Sequence, residues 1–171
     1  MIQELQTTFT QIEQQKKNLL ASIADWTPER LALQPGEDAW CATEVIDHLC
    51  KTEALILSVL PQGMEDPQPI DKRDRVNFHM LERLFRSEKQ VKVPTTAHAT
   101  LPAMNFLHQE VVQRWDRTRT ELAQLLDAIQ EDQLKGGIFR HPQTGWLSLP
   151  QVLTFFSVHM IHHTYQIKRL G

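Results

Sequence analysis

"GWLSLPQVLTFFSVHMIHHTYQI", residues 145–167, reads as one helix with its own start signal. Ser148 and Gln151 have the spacing of a capping box, and Pro150 suits a first helical turn. Beyond them Phe156, Met160, His163 and Ile167 recur at three- and four-residue intervals. They predict a core-facing stripe on a helix that runs to about Leu170. His159 and His163 lie one turn apart on one face, and Gln166 continues that side. His162 is rotated by about 100° from His163 and falls off the line. An HxxxH pair can bring two imidazole nitrogens to one metal ion. The same spacing also occurs in helices whose inward histidines are only hydrogen-bonded.

The same periodicity, followed outward, organises the rest of the chain. Leu5, Phe9, Ile12, Leu19 and Ile23 predict a helix over about 2–24, with Lys16 as a polar interruption. Thr27 and Pro28 predict a short helical segment over 28–33, and "QPGEDAW" (34–40) a loop. Val45, His48, Leu49, Ile56 and Val59 mark the inner side of a helix over about 42–59. Its start is weakened because Cys41 stands where a capping box with Glu44 wants Ser or Thr. A further helix is expected over 71–87, with Val76, Met80, Leu81, Leu84 and Phe85 as its apolar side. "VKVPTTAHATLPAM" (91–104) reads as extended or irregular. Val111, Trp115, Leu122, Leu125 and Ile129 predict a long helix over 104–129, and "KGGIFRHPQTGW" (135–146) a loop over one end of the bundle. There is no convincing strand. The expected fold is all-α, a four-helix bundle with an extra short helix, in one domain spanning 1–171. About forty residues separate the second long helix from the Trp115 helix, so the connection must cross over the bundle or form a lip above it.

Composition narrows the function classes. The chain has 171 residues, a net charge of -3 and 23% charged residues. No basic excess attracts nucleic acid, and no apolar run approaches the roughly 20 residues that cross a bilayer. The N-terminal residues lack the basic-then-apolar order of a secretory signal, so the cytoplasm is the expected compartment. Cys41 and Cys50 show neither a disulfide framework nor zinc-finger spacing and are expected to be reduced.

A third ligand for an HxxxH pair must come from elsewhere. His48 is the other histidine on the apolar side of a helix, alongside Val45, Leu49 and Thr52, and a facing helix could bring it to His159 and His163. His79, His98, His108 and His141 lack such spacing and read as surface or loop residues. Trp26, Trp40, Trp115 and Trp146 read as packing anchors. Arg73, Arg75, Arg83 and Arg86 read as a solvated face, or alternatively a pocket rim. Glu44, one turn before His48, is a candidate for contact with a ligand or an imidazole, or for a helix-terminal role. Gln166 is a candidate to orient an imidazole or bond a ligand.

Three stretches together carry a resemblance. "WCATEVIDHLCKTE" (40–53) is similar to a Trp-Ser-x-x-Glu-x-x-x-His motif. "GWLSLPQVLTFFSVHMIHHTYQI" is similar to a Gly-x-Leu-Ser segment followed by His-x-x-x-His-x-x-Gln. "DWTPERLALQPGEDAW" (25–40) is similar to the linker before the second helix. In this order they resemble the DinB-like, damage-inducible or YfiT-like, family of metal-binding helical bundles. The resemblance implies a four-helix metalloenzyme fold with a divalent metal, zinc or nickel, on His48, His159 and His163. Three neutral histidines leave such an ion its full charge and open positions, so it acidifies a bound water or thiol. The implied chemistry is thiol S-transfer, with a low-molecular-weight thiol such as bacillithiol or mycothiol, or hydrolysis, on a small electrophilic substrate. The alternatives are a non-catalytic metal- or small-ligand-binding bundle and a purely structural one. The resemblance also implies a place in stress response and common homodimers. Leu5, Phe9 and Ile12 with Val111, Trp115 and Leu122 form a candidate dimer surface. Cys41 departs from the family's serine, and residues 61–101 match no pattern of the family.

Overall fold

The computed structural model describes residues 1–37, 39–91, 99–102 and 107–171. Its helices are α1 (Gln3–Ala21), α2 (Pro28–Leu31), α3 (Ala42–Glu65), α4 (Lys72–Phe85), α5 (His108–Ala128) and α6 (Leu149–Lys168). The long helices α1, α3, α5 and α6 form a bundle in which α6 packs on both α1 and α3, and α3 packs on α5. Leu5, Ile12, Leu49, Trp115, Leu122 and Phe156 fill its centre and are almost wholly shielded from water. Each fully buried aliphatic side chain of this kind contributes about 1.5–3 kcal/mol.

Buried charges tie the helices together. Glu53 of α3 accepts from Trp115 Nε1 (2.7 Å) and from Arg119 Nε (2.6 Å) of α5, while Arg119 also reaches Glu13 of α1 at 3.1 Å. Lys16, the polar interruption of the α1 stripe, is buried beside the Trp115 ring and bonds Asp116 at 2.6 Å. Its aliphatic stem occupies a core position while its ammonium is paired.

Three expectations need correction. First, α3 continues to Glu65, past Pro61, six residues beyond the expected end at Val59. Gly63 makes this possible: a Cβ there would lie 1.8 Å from the Ile138 carbonyl oxygen, so a bare backbone is needed for the close approach. Val59 itself is partly exposed. Second, α4 buries Phe78, Leu81 and Phe85, whereas Val76 and Met80 are 49% and 64% exposed. The helix is rotated from the expected phase because its bulkiest rings turn towards α6. Third, the 135–146 loop contains strands. Phe139–His141 (β1) and Gly145–Leu147 (β2) pair antiparallel, with Phe139 opposite Leu147. Strands of three residues are too short to show alternation, and Gly145 turns the chain at a φ of 90°. The hairpin meets α3 through β1 and α4 through β2.

Five of the six residues offered above as a dimer surface belong to this one chain's interior, and Phe9 is partly buried. Leu5, Ile12, Val111, Trp115 and Leu122 are buried within it. Arg73, Arg75, Arg83 and Arg86 form the exposed side of α4 and its C-cap. No described helix is long and apolar enough to cross a membrane. His98 and the expected helix start at Met104 lie outside the described residues.

Candidate metal centre

His48 projects from the second turn of α3, and His159 and His163 from the second half of α6. Because α3 and α6 pack face to face, their inward stripes bring the three buried imidazoles together. One ring nitrogen from each lies within 4.8 Å of the other two. His159 Nε2 is 3.2 Å from His48 Nε2 and 3.0 Å from His163 Nε2.

The outer nitrogens determine what those close approaches mean. His48 Nδ1 lies 2.7 Å from the carbonyl oxygen of Thr100. A carbonyl only accepts, so the proton of a neutral His48 sits on Nδ1 and its Nε2 is a bare lone pair. His163 Nδ1–H donates in the same way to Gln166 Oε1 at 2.8 Å, leaving a second bare Nε2. Both lone pairs point at His159 Nε2, which carries at most one proton and can satisfy only one of them. An added proton is no remedy, because burial pushes all three imidazoles below their usual pKa. The neighbouring imidazoles push His159 and His163 further down. Three neutral Nε2 atoms facing one another with too few protons among them suit a borderline cation such as zinc or nickel. The residues present therefore fit a divalent metal.

Aromatic rings wall the cluster. Trp40 lies 4.8 Å from the His48 ring and 6.3 Å from His163, and Phe155 stacks on His159 at 5.2 Å. A cavity of about 230 Å³ opens beside the three histidines, lined among others by Thr52, Phe85, Phe139, His141 and Phe155. On the other side His163 and Gln166 border a wider, more polar hollow of about 650 Å³, together with Trp40, Gln90 and Arg169. Val91, Ala99 and Thr100, described residues of the long connection between α4 and α5, border the smaller cavity.

The remaining candidates are placed as follows. Gln166 touches His163, as described. Glu44 is occupied at the start of α3, where it accepts from the backbone N–H of Cys41 at 2.8 Å and from Gln34 at 3.3 Å. It takes the helix-terminal role. Cys41 and Cys50 are free and buried. His79 is exposed. His162 is off the line of the triad but is not in solvent. Its ring stacks on Phe85 at 5.0 Å, and its buried Nδ1 has no hydrogen-bond partner among the described residues. Burial, then the Arg169 charge, lowers its pKa.

His141 corrects the reading of that residue as a plain loop histidine. The hairpin folds it over the cavity, 4.9 Å from the Phe155 ring, and burial lowers its pKa to about 4. Nothing in its sequence spacing signals this. The Thr100 carbonyl, a backbone group on a non-helical stretch, is equally invisible in the sequence. Trp40, read in the sequence as a packing anchor, also lies against two of the imidazoles.

Comparison with known proteins agrees with this geometry. The sequence model of the DinB superfamily matches residues 11–167, and the chain belongs to that superfamily. Among solved structures the fold is similar to YfiT from Bacillus subtilis, a probable metal-dependent hydrolase with an unusual four-helix bundle topology. The TM-score is 0.66 at 15% sequence identity, over 99% of this chain and 87% of that one. No curated protein sequence matches the chain.

Proposed function

We propose that His48, His159 and His163 hold one divalent cation, zinc or nickel, and that the protein is a metal-dependent enzyme acting on a small electrophilic substrate. The observation that carries this reading is the excess of inward lone pairs over protons at the three Nε2 atoms. The Thr100 carbonyl and Gln166 enforce that excess by holding the protons of His48 and His163 on Nδ1. Three protein donors beside an open cavity are the pattern of a catalytic rather than a closed structural site. When bound, such an ion supplies Lewis acidity that favours ionisation of a water or thiol near neutral pH. The chain's own residues orient the donors, and the rings of Trp40, Phe85 and Phe155 keep bulk water off them. The description of YfiT supports hydrolysis, and the superfamily resemblance supports transfer to a low-molecular-weight thiol. The free, buried cysteines suit a reducing compartment, and the cytoplasm is the proposed location. The proposed partner is a small molecule. A homodimer would have to use residues other than the buried set named above.

The test is metal content by plasma mass spectrometry after reconstitution with zinc or nickel, wild type beside His163→Ala. One ion per chain in the wild type and a large loss in the variant are expected. Equal content in both would overturn the assignment. Turnover of an activated ester and of an alkylating electrophile, each with and without added thiol, then separates hydrolysis from transfer. A metal-loaded protein inert in every arm would favour a binding module.

A further inference from the structure

His48 and Lys51 stand three residues apart on α3 and so share one side of that helix. Each spends a side-chain N–H on the connection between α4 and α5. His48 Nδ1 donates to the Thr100 carbonyl at 2.7 Å, and Lys51 Nζ donates to the next carbonyl along, that of Leu101, at 2.9 Å. The first bond sets the tautomer that leaves His48 Nε2 bare. The second reaches no imidazole, yet it grips the neighbouring peptide unit.

Lys51 is itself held from behind. Asp47, one turn earlier on α3, is only 1% exposed, and one of its carboxylate oxygens lies 2.8 Å from Lys51 Nζ. The other oxygen accepts from Arg114 of α5. A buried carboxylate paired with two cations from two helices is fixed relative to the bundle, because breaking either pair would leave buried charge uncompensated. An ammonium carries three N–H groups, so one lysine serves both the carboxylate and the carbonyl. Taken alone, Asp47 and Lys51 are an ordinary pair one helical turn apart. What sets them apart is the far end of the chain of contacts: Arg114, Asp47, Lys51, the Leu101 carbonyl, and beside it the Thr100 carbonyl on His48.

We infer that Lys51 is a positioning residue for the metal centre: by tying the Leu101 carbonyl to the Asp47–Arg114 pair, it keeps the adjacent Thr100 carbonyl on His48 Nδ1 and so keeps the His48 lone pair turned towards the ion. This rests on the proposed divalent ion at the three histidines. Consecutive Cα atoms are about 3.8 Å apart across a rigid peptide plane, so a shift at Leu101 is felt at Thr100. A bond from a charged donor is also stronger than one from a neutral donor, so Lys51 is the firmer of the two holds on this stretch. The sign of its effect separates this role from bulk electrostatics. A lysine near the site repels a cation, so on charge alone its removal tightens metal binding. Loss of positioning weakens it.

The test measures zinc affinity by competition with a chromophoric chelator on wild type, Lys51→Met and Lys51→Arg, with circular dichroism and urea unfolding to establish folding. Methionine keeps the unbranched stem without the charge. Lys51 is 25% exposed and Asp47 retains Arg114, so the variant keeps its fold. Arginine reaches the same carboxylate and carbonyl. Lys51→Met should bind zinc roughly threefold to tenfold more weakly, the worth of one hydrogen bond, with Lys51→Arg within about twofold of wild type. Nitrogen-edited NMR of the metal-free proteins supplies the second readout. The His48 Nδ1–H, assigned by its absence in His48→Ala, should be a slowly exchanging, hydrogen-bonded proton in wild type and Lys51→Arg, and should broaden or vanish in Lys51→Met. Zinc affinity unchanged or tighter in Lys51→Met would overturn the inference. So would an equal loss in Lys51→Arg, or a His48 Nδ1–H signal that Lys51→Met leaves unaltered. A wild type that takes up no zinc refutes the metal site alone, and the Nδ1–H comparison, made without metal, still decides whether Lys51 holds His48 in place.

Discussion

Gln166 Oε1 accepts the Nδ1 proton of His163 at 2.8 Å, one turn further along the same helix. The bond holds the ring orientation and leaves Nε2 free to face His48 and His159. Such outer partners commonly change metal affinity by about 10–100-fold when removed. Gln166→Ala should therefore fold normally and bind zinc with an affinity lower by that factor, measured by competition with a chromophoric chelator. An unchanged affinity would mean that packing alone orients His163.

His162 is a neighbour of the cluster and not a member of the converging set. His162→Ala should keep one metal ion per chain, whereas His159→Ala should lose it. Mass spectrometry under non-denaturing conditions reads both. Metal loss in His162→Ala with retention in His159→Ala would mean that the phase of α6 at the site is wrong.

Acid should destabilise the metal-free protein before its carboxylates titrate fully. Burial lowers the pKa of His48, His159, His162 and His163, and that of His141 to about 4, against about 6.5 in an unfolded chain. A depressed folded-state pKa means that the unfolded chain binds more protons below pH 6.5. The associated stability is therefore complete above about pH 6.5 and is lost as pH falls towards 4. Urea midpoints in the presence of chelator should decline steadily over that window. His141→Phe, lacking one of these groups, should decline less steeply.

Removal of Arg119 should be among the most damaging single changes away from the site. Among the described residues it leaves the buried Glu53 carboxylate with the Trp115 N–H as its one hydrogen-bond donor. Breaking one side of a buried pair typically costs about 3–5 kcal/mol. Arg119→Met should lose stability on that scale by chemical unfolding, with metal content per folded chain unchanged.

Gly63→Ala tests the contact that extends α3. In an exposed helix this change is favourable by about 1 kcal/mol. Here the new methyl would lie 1.8 Å from the Ile138 carbonyl oxygen. Overpacking should win and destabilise the protein by about 1–3 kcal/mol, displacing the hairpin that carries His141. A more stable variant would show that the helix end and the strand separate at little cost.

The helices that make up the bundle were legible in the chain because a 3.6-residue period needs only local spacing, and over four or five turns that signal is unambiguous for α1, α3, α5 and α6. The same period put His159, His163 and Gln166 on one side of α6 and His48 on the apolar side of its own helix, whereas Trp40 read only as a packing anchor. What spacing cannot supply is the partner of a face. The rotation of α4 that buries Phe78 rather than Met80, the passage of α3 through Pro61, and the folding of the 135–146 loop into a hairpin each depend on what an element packs against. The tautomers of His48 and His163 rest on a carbonyl fifty-two residues away and on a side chain one turn along. The sequence by itself therefore determined which imidazoles share a helix face. Only the tertiary structure decided that three of them meet with their lone pairs inward, that Glu44 is spent on a helix end, and that His141 and Thr52 face a cavity. Convergence across α3, α6 and the hairpin is a property of packed surfaces and not of any one segment's period.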